Sequence, residues 1–397
     1  MNPPLHGIRV VEFAHMVMGP TCGLVLADLG AEVIKVEPVA GDNTRRLTGS
    51  GAGFFAAFNR NKKSLAVDLA DPEAKAAVLR LIADADVVSE NFRPGAMDRL
   101  GLGYDALRLV KPDLVYVSHK GFLAGPYQDR TALDEVVQMM AGLAYMTGPP
   151  GRPLRAGSSV NDIMGGLFGA LGAVAALYRR DAERTRSASG AAQRIDSALF
   201  ENCVFLVAQH MMQFAVTGRP AAPMPARAPA WGIYDVFTLG DGTQLFLAVV
   251  SDTQWAAFCA ALARPDWQAD ARLATNPLRV AARDWLLPQV AEVLGQRTGD
   301  EVSAMAQRAG LPWAPIRRPE ELFDDPHLAA SGGLAPVRLP SGAATAVPLL
   351  PLAIDGARLP LRSAPPRTGE HTRELLAAAG LAAAQVDALI ARGAAAG

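Results

Sequence analysis

The chain opens on short apolar, β-branched runs separated by stretches with helical periodicity. "GIRVVEF", residues 7–13, is followed by "GPTCGLVLADLG" and then by "AEVIKVE". This order predicts strand, helix, strand, with Gly19-Pro20 at the helix start and Gly30 at its stop. It repeats in "KSLAVDL", "DPEAKAAVLRLIADA" opened by Asp71 and Pro72, and "DVVSEN", and again in "MDRLGLGYDALRLVKPDLVYVSHKGF". Such alternation points to an α/β fold, a doubly wound and largely parallel sheet with helices on both faces. "QRIDSALFENCVFLVAQHMMQFAVTG" reads as a further strand and a long helix, after a charged surface connector over 179–192.

The pattern breaks at "RPAAPMPARAPAWG", residues 219–232, a proline-rich linker with no apolar period. A second domain is expected to begin near Gly232. Its first feature is a hairpin, "IYDVFTLGDGTQLFLAVVS", turned at Gly240-Asp241-Gly242, and helices follow. Strands are expected again after Pro326, and two helices close the chain. The longest apolar stretch, Ile163 to Tyr178, carries Gly165, Gly166, Gly169 and Gly172 and reads as a buried helix, too short to span a bilayer.

At 397 residues the chain suggests about two domains, and 38 basic against 39 acidic residues leave no field for nucleic acid or an anionic membrane. A small-molecule partner is expected. Cys22, Cys203 and Cys259 stand far apart, which disfavours disulfides and zinc. With no signal-peptide pattern at the start, a cytoplasmic location is the expectation.

Several signatures are missing: GxGxxG after the first strand, a Walker lysine motif, a GxSxG elbow and HExxH. Six scattered histidines make no metal set, so no metal is expected. The first βα turn, His15 to Gly19, occupies the place where such sheets take ligands. "ENFRPGAMDRLG" stands in the corresponding place after a later strand, where Arg93 and Arg99 suit a phosphate and Phe92 an adenine. Asp162 enters the long apolar run as a lone acid, open to two readings: a helix N-cap, or a nucleophile facing a cleft.

In that order, "VVEFAHMVMGPTCGLVLADLGAEVIKVEP", "FNRNKKSLAVDL", "ENFRPGAMDRLG", "NDIMGGLFGALGAVAALYRR", "APAWGIYDVF", "LPWAPIRRPEELFDDPHLAASG" and "PPRTGEHTRELL" resemble the family III CoA-transferases. That family includes formyl-CoA transferase and carnitine CoA-transferase. The resemblance implies a Rossmann-like large domain built from both chain ends, a smaller central α+β domain, and two subunits interlocked as a homodimer. On this sequence the large domain falls at 1–218, the linker at 219–231, the small domain at 232–325 and the return segment at 326–397.

The resemblance also implies that CoA is held by His15, Val17, Met18, Val67, Asn91, Phe92, Arg99 and Asp134, with the active site between the domains. The nucleophile falls on Asp162. CoA then arrives as the acyl-CoA substrate, with no permanently bound cofactor. Gly165 and Gly166 are expected to leave room for substrate beside Asp162. A racemase of the same fold needs a histidine where Leu133 stands, and His119 lies out of register. A non-catalytic acyl-CoA-binding protein is the third class.

Departures from the family pattern bear on substrate. The tetraglycine loop of formyl-CoA transferase has only Gly232 as its counterpart, which turns the expectation from oxalate towards small dicarboxylates such as succinate, malate, mesaconate or citramalate. Arg227 and Trp231 are the expected contacts for the acyl or acceptor group. Lys120 faces either a CoA phosphate or water.

Overall fold

The computed structural model describes residues 2–186, 191–227 and 229–397. The chain divides into two units, Met1–Pro225 with Pro326–Gly397, and Ala226–Asp325.

The larger unit is built on β1 (Arg9–Phe13), α1 (Met18–Asp28), β2 (Glu32–Glu37), α2 (Phe54–Phe58), β3 (Lys62–Val67), α3 (Pro72–Ala83), β4 (Val87–Glu90), α4 (Ala96–Arg99), α5 (Tyr104–Val110) and β5 (Val115–Lys120). Then come α6 (Asp134–Met140), α7 (Leu143–Thr147), α8 (Val160–Arg186), β6 (Gln193–Ala198) and α9 (Leu199–Thr217). The strands lie side by side in the order β3-β2-β1-β4-β5-β6, all parallel. Alternate residues of each strand face opposite sides, so both faces must be covered. Val11, Ile34, Leu65 and Val88 pack under Ala77, Val78 and Leu81 of α3. Val10, Val33, Val87, Val115 and Val117 pack under Leu26 of α1 and Ala170, Ala173 and Leu177 of α8. This double burial is why β1, β2, β4 and β5 read as short β-branched apolar runs, whereas β6 alternates half-buried and exposed residues over 193–196.

Helix α8 continues to Arg186, so the charged stretch from 179 extends the helix where a connector was expected. By length and composition α8 would suffice to cross a membrane. One side of it is instead buried in this core, and its glycines let it lie close to its neighbours. A Cβ at Gly169 would fall 2.3 Å from His119 Cε1, and one at Gly172 would fall 2.7 Å from Ile195 Cγ2.

The chain's last segment returns to the larger unit. Two short hairpins, β10 (Leu334–Arg338) with β11 (Ala344–Pro348) and β12 (Ala353–Ile354) with β13 (Ala357–Arg358), precede two helices whose Leu375, Leu376, Val386 and Leu389 join the α3 core. The end strand β14 (Ala395–Ala396) adds antiparallel to β3, with Ala395 opposite Val67.

The smaller unit holds an antiparallel sheet of β7 (Ile233–Thr238), β8 (Gln244–Val249) and β9 (Trp313–Pro315). Helices spanning 252–308 cover it, burying Phe237, Leu247, Trp255, Phe258, Leu286 and Val302. The hairpin turns where the glycines predict, with Gly242 at φ 82° and Asp241 accepting the Thr243 N–H.

Candidate active site

The sheet order reverses between β1 and β4, so the loops leaving their carboxyl ends diverge and open a crevice. Asn91, the first residue past β4, reaches across it. Its Oδ1 accepts the His15 N–H at 3.0 Å and its Nδ2 donates to the His15 carbonyl at 2.8 Å. The Phe92 and His15 rings lie 5.7 Å apart. Three of the expected residues therefore form one surface at the switch point. Lost hydration holds the exposed His15 imidazole below its usual pKa, with Asp42 pulling the other way.

The next residue, Met16, sits at φ 63°, a conformation that costs a side-chain-bearing residue free energy and must be held from outside. Its N–H donates to Thr44 Oγ1 at 2.9 Å, and the Thr44 hydroxyl donates to Asp42 at 2.8 Å. Lys35, buried and 2.9 Å from Asp42, donates to the Ala14 carbonyl. Sequence reasoning missed this brace; its one signal was charged residues inside otherwise apolar strands.

Val17 and Met18 complete the turn that the resemblance assigns to CoA. Both are buried, and Met18 packs with Phe122, Val137 and Leu199, so what they offer a ligand is the backbone of the turn. Val67 is likewise buried, at the end of β3 two strands from β1. Arg99 is exposed on α4, beside Gly95.

The second cluster centres on the start of α8. Asp134, buried at the start of α6, accepts the backbone N–H of Asn161 at 2.9 Å and of Asp162 at 3.1 Å through one carboxylate oxygen. Gln138 donates to the other oxygen, and its own Oε1 accepts the Ala156 N–H at 2.8 Å. Helix α6 thus caps α8 from outside, satisfying amides that have no partner within their own helix. Asp162 lies in the first turn, and among the described residues no hydrogen bond ties up its carboxylate. The N-cap reading is set aside because the capping carboxylate is that of Asp134. Burial, followed by the nearby Asp134 charge, lifts Asp162 to a pKa of about 7, against a smaller opposing pull from Arg155.

Gly165 and Gly166 do not make room for substrate. A Cβ on Gly165 would meet Met18 Cε at 2.4 Å, and one on Gly166 would meet the Met18 carbonyl at 2.5 Å. Their role is to let α8 pack against α1 at Met18, about one helical turn along α8 from Asp162.

His119 is buried against Gly169 with Nε2 3.2 Å from Ser89 Oγ, and burial drives its pKa down to about 3. It is a neutral core residue. Leu133 is exposed, immediately before α6. Lys120 pairs with Glu90 at 2.9 Å and borders a cleft of about 530 Å³ shared with Phe122, Arg194 and Asp196. Arg227 and Trp231 belong to the smaller unit, where Trp231 stacks on Tyr234 at 5.0 Å and the Arg227 guanidinium lies 5.9 Å from the same ring. No group of three His, Cys, Asp or Glu is placed to hold a metal among the described residues.

Comparison with known proteins agrees with this architecture along its length. The sequence matches CoA-transferase family III over residues 5–372. It is 37% identical over 392 residues to the succinate–glutarate CoA-transferase of Agrobacterium fabrum, covering 95% of this chain and 96% of that protein. It is 32% identical to the succinyl-CoA–D-citramalate CoA-transferase of Chloroflexus aurantiacus, covering 85% of this chain and 84% of that one. The crystal structure of a CAIB/BAIF family protein from Brucella suis superposes with a TM-score of 0.85 at 33% identity, over 96% of this chain and 100% of that chain. The match takes in the parallel sheet, the smaller unit and most of the returning segment alike, and on that ground the chain belongs to CoA-transferase family III.

Proposed function

We propose that this CoA-transferase moves CoA from succinyl-CoA, or a similar acyl-CoA, to a short dicarboxylic acid, with Asp162 as the covalent relay. The observation that carries the reading is the Asp162 carboxylate. It stands at a helix start with its capping work done by Asp134, and its pKa near neutrality leaves much of it ionised at physiological pH.

The chemistry balances without ATP, a metal or net proton transfer. Asp162 attacks the thioester carbonyl, forming a mixed anhydride and releasing the CoA thiolate. The thiolate attacks the aspartyl carbonyl, which gives an aspartyl-CoA thioester and frees the donor acid. The acceptor carboxylate then attacks that thioester, forming a second anhydride and releasing the thiolate again. The thiolate takes the acceptor's acyl carbon and restores the Asp162 carboxylate. What the protein supplies is position and shielding from water, because every intermediate is prone to hydrolysis.

CoA lies along the switch-point surface in this reading. His15, Asn91 and Phe92 line it, the backbone at Val17 and Met18 and the end of β3 at Val67 adjoin it, and Arg99 supplies a cation for phosphate. The names of the relatives favour dicarboxylates such as glutarate or citramalate as acceptors. A racemase reading lacks its second acid/base group, since Leu133 has no proton to give and His119 is buried. We further infer an interlocked homodimer, supported by the apolar residues Phe205, Met212 and Phe214 left exposed on α9. Three buried free cysteines suit a reducing, cytoplasmic setting.

The test is direct. Purified protein with succinyl-CoA and glutarate should yield glutaryl-CoA, and hydroxylamine should trap Asp162 during turnover. Asp162→Ala should fold and bind acyl-CoA yet transfer nothing. Full transfer by that variant, or α-proton exchange without transfer by the wild type, would overturn the assignment.

A further inference from the structure

We propose that Arg155 binds the distal carboxylate of the dicarboxylate acceptor and so sets the preference for diacids over monoacids; the inference rests on the CoA transfer proposed above. Arg155 stands in the loop that leads into α8, with its side chain 36% exposed. Its Nη2 lies 3.6 Å from Asp134 Oδ1, and the other oxygen of that same carboxylate accepts the Asp162 N–H at 3.1 Å. One side chain therefore separates the guanidinium from the residue that carries the reacting group.

The donors of Arg155 are unequally committed. Nε donates to the carbonyl of Ala156 at 3.1 Å, and Nη1 is paired with the exposed Glu135. Nη2 approaches Asp134 only at 3.6 Å, beyond hydrogen-bonding length, so its N–H groups are open to another acceptor. A guanidinium edge takes a carboxylate through two parallel hydrogen bonds, and Nη1 joins Nη2 in such a fork once the Glu135 pair yields.

Electrostatics require a cation at this point. An acceptor that carries two negative charges must approach Asp134 and Asp162, already two carboxylates in close company. Its attacking carboxylate loses charge to the new bond, but the distal one stays ionised and pays a large desolvation penalty unless it is paired. The field of Arg155 already reaches Asp162. A monocarboxylic acid of equal chain length presents only a methyl group there and gains nothing from the guanidinium.

The experiment compares glutarate with pentanoate as acceptors, with succinyl-CoA as the donor throughout so that the donor step is common to both. In Arg155→Gln the ratio of kcat/KM for glutarate over pentanoate should fall roughly 10- to 100-fold, chiefly through the KM for glutarate, as loss of one charge-assisted contact requires. Arg155→Lys should recover part of the ratio. Glu135→Gln, which frees the guanidinium from its protein partner, should lower the KM for glutarate. A purely structural role in supporting Asp134 would slow both acids alike, and an unchanged ratio in Arg155→Gln would overturn the proposal. If that variant does not fold, an unchanged or higher glutarate KM in Glu135→Gln overturns it instead. A wild type that transfers CoA to no carboxylic acid brings down the transferase reading itself, whereas efficient transfer with the ratio indifferent to Arg155 brings down this inference alone.

Discussion

The Asp134 carboxylate accepts the backbone N–H of Asp162 at 3.1 Å, so one acid of the site holds the peptide group of the other. The contact has two opposite effects. It anchors the first turn of α8, and it sets a negative charge where it disfavours ionisation of Asp162.

The rate should follow that ionisation. Only the carboxylate attacks a thioester, so kcat/KM for the acyl-CoA donor should rise about tenfold per pH unit below 7 and level off above it, given a pKa of about 7 for Asp162. Asp134→Asn removes the like charge and keeps an oxygen to accept the two amides, so the midpoint should move to lower pH. A pH–rate profile with the same midpoint in both proteins would show that Asp134 does not tune Asp162.

Stability carries the opposite sign. The folded pKa of Asp162 lies above the unfolded value near 3.9, so the native state binds more protons between about pH 4 and 7 and loses stability as pH rises through that window. Asp162→Asn should be more stable than wild type above pH 7, by on the order of 1 kcal/mol after solvent screening. Denaturant midpoints at pH 4 and 8 measure it: the difference between the two proteins should appear only at the higher pH.

Asn91 makes two hydrogen bonds to the His15 backbone. At about 1 kcal/mol each, their loss in Asn91→Ala should loosen the turn and raise the KM for acyl-CoA by roughly tenfold or more, with a smaller change in kcat. Equal losses in kcat and kcat/KM would place Asn91 in the chemical step instead.

Gly166→Ala should destabilise the protein by about 1 to 3 kcal/mol, because the new methyl meets the Met18 carbonyl at 2.5 Å and backbone cannot step aside. Gly157→Ala, with nothing within 4 Å, is the control. Matching denaturation midpoints for the two variants would mean that α1 and α8 can move apart freely.

The interlocked homodimer proposed above predicts no folded monomer on dilution. Light scattering at nanomolar concentration should give twice the chain mass, and Phe205→Asp, on the exposed apolar side of α9, should cut the yield of folded protein. A compact, active monomer at that dilution would refute interlocking.

Strands β1, β2, β4 and β5 were legible because a parallel sheet covered on both sides leaves short β-branched runs, and the hairpin was legible because its turn needs glycine at positive φ. Asp162 stood out as an acid among small and apolar residues and Phe92 by its place after a strand, whereas Asn91 was indicated only by the family resemblance. Strand β14 was not legible, since Ala395 and Ala396 join the sheet through backbone groups alone, which leave no side-chain signature. The glycines of α8 were visible, but what they approach was not: whether a glycine admits a substrate or a neighbouring helix depends on the atoms opposite it.

Local pattern therefore carried the order of elements, the division near the proline-rich linker and the acid to watch, all of which rest on neighbours in the chain. The distances between Asp134, Asp162 and Arg155, and with them the raised pKa of Asp162, came only from the fold. Asp134 lies 28 residues from Asp162, and no periodicity spans that separation. Electrostatic interaction and hydration depend on separation in space, and the packing of α6 and α1 around α8 is what brings those side chains within each other's field.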